Sequence, residues 1–70
     1  MANPDPVVTV ADLRKCGFCV RGAQGTFETY GADWKRFCRE GMPASAMAAW
    51  KDHNADLVIE AARARVASHG

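Results

Sequence analysis

Several features are scarce or missing in this 70-residue chain. No apolar run approaches the roughly 18 residues a membrane span requires, which excludes a transmembrane helix. The opening MANPDPVV has neither a basic start nor an apolar core, so a secretory signal is not expected and a cytosolic setting is. Cysteines stay reduced in such a compartment. There are three of them, an odd number that argues against a closed disulfide framework. The net charge is only +1, so no strong overall field steers the chain onto nucleic acid or a membrane. No glycine-rich phosphate loop, internal repeat or low-complexity linker occurs. His53 and His69 have no evident carboxylate or nucleophile partner, and Ser45 and Ser68 sit in ordinary helix-end contexts. The expectation is a protein that is not an enzyme and holds no cofactor.

What is present is the composition of a folded protein, with 49% hydrophobic and 24% charged residues. A chain this short buries only about 60% of its unfolded surface, so its core is marginal and a partner or self-association is expected to help it. Residues 1–8 read as an extended lead-in, with Pro4 and Pro6 denying amide donors, and residues 9–70 as a single helical domain. Thr9, with Asp12 three residues on, starts a first helix over 10–16, and Gly17 stops it. A short strand over 7–10 is the competing reading. Val20, Ala23, Phe27 and Tyr30 form one face of a second helix over 18–30, weakened by Gly22 and Gly25. Asp33 caps a third helix with Trp34, Phe37 and Cys38 as its buried stripe. Pro43 suits the first turn of a fourth, and Asp52 caps a last helix over 53–67. The inner face of that last helix reads as Ala55, Leu57, Val58, Ile59, Ala62 and Val66. Glu60 and Arg63 can pair outside it, and Arg63 and Arg65 suit its negative end. The fold class is therefore all-α: four or five short helices with a longer amphipathic C-terminal one, suited to docking on another chain or forming a homo-oligomer.

The segment KCGFC carries the strongest hint of chemistry, because Cys16 and Cys19 have C-x-x-C spacing. Cys38 and His53 could complete a zinc set, but the spacing matches no standard finger and Cys38 belongs to a helix stripe. A redox pair would need a preceding strand and a larger α/β setting. The favoured reading is that these thiols are small buried apolar groups, with no metal. A helix, a glycine turn and a second helix give a helix-turn-helix outline, in which Arg14, Lys15, Arg21 and Gln24 would contact DNA. The helix glycines and the near-neutral charge speak against it. Lys35, Arg36 and Arg39 read first as a solvated face. Two tryptophans are hard to bury fully in so small a domain, so Trp34 and Trp50, with Arg36 and Arg39, are the candidate partner-binding residues.

The pattern as a whole resembles a group of short, largely uncharacterised proteins encoded in prophages and tailed phages of proteobacteria. The likeness rests on VTV-x-DLR at residues 8–14, C-x-RGA at 19–23, YG-x-DW-x-x-F at 30–37, and GMPA at 41–44, where Met42 replaces an isoleucine of the group. Cys19 has a counterpart there, whereas the positions of Cys16 and Cys38 are usually apolar, which further weakens a metal reading. The resemblance implies a phage origin and brings no activity with it. It leaves two classes open. One is a virion component or head or tail assembly factor, binding a phage structural protein. The other is an effector in the host cytoplasm that binds a host protein or DNA.

Overall fold

The structure, a computed structural model, describes residues 5–69, with side chains as far as Ala67. The expectations placed on Asn3, Pro4 and the Ser68 and His69 side chains lie outside this range. In chain order the elements are β1 (Val7–Val8), α1 (Val10–Lys15), α2 (Val20–Thr29), α3 (Trp34–Glu40), β2 (Met42–Pro43), α4 (Ala44–Ala48) and α5 (His53–His69). The protein is mainly helical, and the expected longest helix is the last one. The departure from an all-α fold is a two-stranded antiparallel sheet, with Val7 opposite Pro43 and Val8 opposite Met42.

That sheet follows from local chemistry at both strands. Two β-branched valines follow Pro6, and the residue before a proline is held out of the helical region. On the other strand Gly41 has φ +75°. A Cβ there would lie 2.6 Å from both Val7 Cγ1 and the Val8 carbonyl oxygen, so only glycine admits this approach. Pro43 is consequently the extended residue before α4, at φ −62° and ψ 139°, and not part of its first turn. The amides at the start of α4 are satisfied from far away in sequence. Pro6 O accepts from Ala44 N–H at 2.9 Å. The Asp5 carboxylate accepts from the Ser45 N–H at 2.8 Å and from its hydroxyl at 3.0 Å.

Gly17 ends α1 as expected, with φ +81°. The second helix begins later than its apolar spacing suggests. Cys19 is extended, at ψ 130°, and serves as the N-cap, leaving Phe18 in the junction. Asp33 caps α3 through its side chain, which accepts from Arg36 N–H at 3.1 Å. Asp52 caps α5, accepting from the Asn54 and Ala55 amides at 2.9 and 3.1 Å.

The core is an aromatic cluster with an aliphatic floor. Phe27, from α2, meets Trp34 edge-on at 5.0 Å, Trp50 edge-on at 5.0 Å, and Phe37 at 4.6 Å. Such edge-to-face pairs align positive ring edges with negative ring faces. Leu13, Val8, Ala44 and Met47 pack with the inner face of α5, formed by Ala55, Val58, Ile59 and Ala62. Leu57 and Cys38 are among the expected core members that are not there. Leu57 is 44% exposed, because one turn of α5 cannot turn three consecutive residues inward. Cys38 is exposed because Trp34 and Phe37 already define the buried edge of a seven-residue helix. No ion pair joins Glu60 to Arg63.

Arg65 does something the sequence reading did not anticipate. It reaches back to the start of the chain rather than to the end of its own helix. Its Nε and Nη2 donate to the two oxygens of Asp12 at 3.0 and 3.1 Å, and Nη2 also donates to Val7 O at 2.7 Å. Asp12 also accepts from the Thr9 N–H and hydroxyl, as the N3 residue of α1. This carboxylate is 1% exposed. Burial alone would push it toward protonation, but the bonds from Arg65 and Thr9 prevail and hold it below the ordinary carboxylate range. One buried polar group thus ties β1, α1 and α5 together.

Candidate functional site

The C-x-x-C pair does not assemble a site. The cysteines are free: Cys16 is half-buried, and Cys19 and Cys38 are exposed, which corrects the expectation of three buried thiols. Cys16 Sγ donates to Leu57 O at 3.5 Å. Cys19 sits at the start of α2, where the Gly22 and Arg21 amides hold its thiol below the usual value. Among the described residues no group of three or more His, Cys, Asp or Glu side chains could hold a metal ion. Among them, too, no helix is long and apolar enough to cross a membrane.

Two concave surfaces remain. One, of about 390 Å³, lies between α3 and the sheet and is lined by Val7, Asp33, Arg36, Phe37, Glu40 and Met42 among others. Its charges answer one another, since Arg36 Nε lies 3.7 Å from Glu40 Oε1 and Arg39 3.9 Å from the other oxygen. The other, of about 240 Å³, lies between α2 and the α4–α5 corner. Phe18, Phe27, Met47, Trp50 and Val58 give it an apolar lining, Gly22 and Cys19 lie on the α2 side, and Asp52 is its only charged lining residue.

Local structure explains how this second cleft stays open. Gly22 puts no side chain over the α2 wall of the cleft; a Cβ there, or at Gly25 outside the lining, would meet nothing within 4 Å. The carbonyls of these two glycines accept from the Thr26 and Thr29 hydroxyls at 3.3 and 3.0 Å, so this helix surface satisfies its own backbone. Between α4 and α5 Lys51 adopts φ 53°, a left-handed turn that brings Asp52 to the head of α5. Trp50 lies next to this turn, half-buried, with Tyr30 stacked on it at 4.7 Å and 6° between planes. Tyr30, expected on the inner face of α2, is 39% exposed. Its hydroxyl donates to Asp52 Oδ2 at 2.9 Å. The Ala55 amide, the Tyr30 hydroxyl and the Asn54 amide together keep the Asp52 carboxyl below its ordinary range. The same bond to Asp52 raises the Tyr30 phenol.

The candidate partner-binding residues are thereby separated. Trp50 lines the α2–α5 cleft and Arg36 lines the other groove. Trp34 is half-buried against Phe27 and Phe37, and Arg39 is exposed on α3 without lining either surface. Arg14, Lys15, Arg21 and Gln24 are all exposed on α1 and α2, and Glu28 shares the outer face of α2 with Arg21 and Gln24. The sequence reading did not single out Tyr30, Phe18 and Asp52 as a site. The signals available were the glycines of α2 and a capping aspartate directly after Trp50-Lys51. Comparison with known proteins finds no matching family model, no similar curated protein and no similar solved structure.

Proposed function

We propose that this chain is a small phage-encoded helical protein-interaction module without catalytic activity. In this reading it acts in the host cytoplasm or particle as a virion component or a head or tail assembly factor. The observation that carries the interaction reading is the open cleft beside the bare glycine surface of α2. Two interior glycines each cost a helix about 1 kcal/mol relative to alanine. Among the described residues no neighbour comes within 4 Å of where a Cβ at either would lie. A partner backbone approaching α2 gives that space a role. The likeness of residues 8–44 to short phage-encoded proteins supports the phage setting.

Mass spectrometry of purified particles from the encoding phage tests the assignment. Several copies per particle are expected of a virion part. Absence from particles, with expression early in infection, would replace it with the reading of an effector that binds and inhibits a host protein. A DNA-binding regulator is a further alternative, favoured by the shared exposure of Arg14, Lys15, Arg21 and Gln24 on α1 and α2. It requires a gel shift that weakens steeply with salt and is lost on Arg14→Ala with Arg21→Ala. No shift at low salt removes it.

A further inference from the structure

We infer that the cleft between α2 and the α4–α5 corner docks a partner segment through two side chains: a bulky apolar one in the cleft and an arginine at Asp52 and Tyr30. This rests on the interaction reading and adds the chemistry of the partner.

The apolar half follows from the lining. Phe27, Trp50, Met47 and Val58 leave a recess of about 240 Å³ that suits a large aliphatic or aromatic side chain. Gly22 removes the Cβ that would otherwise project beside it, so the partner backbone can come close. The charged half follows from counting acceptors. An ionised carboxylate offers about four acceptor positions. At Asp52 the Asn54 and Ala55 amides use Oδ1 and the Tyr30 hydroxyl uses Oδ2, so Oδ2 has capacity left for a donor from outside. Asp52 is the only charged residue lining the cleft. Arg21 and Lys51, the cations adjacent to it in sequence, do not line it.

Arginine is favoured over lysine because a guanidinium can stack on an aromatic ring while it donates to a carboxylate. Tyr30, 39% exposed and bonded to that carboxylate, supplies the ring.

The test is selection of an mRNA-displayed library of random peptides on the full-length protein. Enriched peptides are expected to carry a bulky apolar residue within one helical turn of an arginine. Asp52→Asn keeps the capping geometry, since asparagine also caps well, and is expected to weaken a selected peptide about tenfold, with arginine-to-lysine exchange in the peptide weakening it less. Gly22→Leu fills the recess on a helix position with open space around it, so the fold is kept, checked by circular dichroism, and binding is lost. Peptides indifferent to both substitutions would overturn the inference while leaving an interaction module in place. Peptides blocked by Gly22→Leu but lacking arginine and indifferent to Asp52→Asn would overturn the arginine half. Failure to enrich any peptide overturns the docking cleft altogether. Absence from virions, by contrast, affects only the assignment above.

Discussion

Asp12 and Asp52 are both helix-start carboxylates, both accept from backbone N–H (one for Asp12, two for Asp52) and from a hydroxyl, and both lie below the ordinary carboxylate range. Their surroundings separate them. Asp12 is sealed, 1% exposed, with every strong donor supplied from within the chain. Asp52 stands half-exposed at the edge of an apolar cleft, with an exposed tyrosine as its only side-chain donor. The same chemical group is sealed into the fold in one place and left open at the surface in the other. What decides is whether long-range packing closes over it.

The sealed region should be the costly one to disturb. Phe37, 2% exposed and packed on Phe27 and Trp34, is almost wholly buried even though it lines the groove beside α3. Phe37→Ala is expected to cost about 3–5 kcal/mol, enough to unfold much of so small a domain, as read by urea titration with circular dichroism. A melting point unchanged from the parent would show that the core lies elsewhere. Arg65→Ala should cost about 2–3 kcal/mol, because it strands a buried carboxylate. The figure sits at the low end because the arginine side chain keeps 35% of its surface in water and is screened there. The matching change at the open site, Tyr30→Phe, should lower stability in the same titration far less than Arg65→Ala, because water replaces the lost bond there. Equal losses in the two variants would abolish the contrast between them.

Acid sharpens the same comparison. The Asp12 carboxyl is lower in the folded chain than its ordinary value of 3.8. Its contribution is therefore complete above that value and lost as pH falls through the folded one. The melting temperature should hold from neutral pH to about 5 and then drop as pH falls below about 4. Asp12→Asn should flatten that acid limb more than Asp52→Asn does, in a series of thermal scans. Two glycines give effects of opposite sign. Gly22→Ala should stabilise by about 0.5–1 kcal/mol, since the helix gains propensity and the added carbon meets nothing. Gly41→Ala should destabilise instead, by more than that gain, because it meets both a positive φ and the Val8 carbonyl. Alanine tolerated at both positions would contradict the tight seam between β1 and β2.

Much of the helical layout was legible because its determinants are short-range. Gly17 and Gly41 stop helices, and Asp33 and Asp52 start them. Phe27 and Phe37 fall on faces that any helical periodicity would bury. The errors cluster where spacing alone must choose among neighbours. Cys38 and Leu57 lie beside residues that already fill the inner face, and Phe18 lies in the junction before Cys19, whose extended backbone delays the start of α2. The cleft was only half legible. Trp50 stood out for its size, whereas Asp52 read only as a cap and Tyr30 only as an inward ring.

The sequence by itself determined where α1, α3 and α5 begin and where α1 and α3 end, since capping and positive-φ turns act over three or four residues. It also set a marginal core and a nearly balanced charge. Tertiary structure alone decided that Asp5 caps a helix 40 residues away and that Arg65 crosses 53 residues to Asp12. It alone paired Val8 with Met42 and left Asp52 open beside Trp50. These outcomes depend on which surfaces meet once apolar area is buried, and no local propensity encodes a meeting between residues so far apart in the chain.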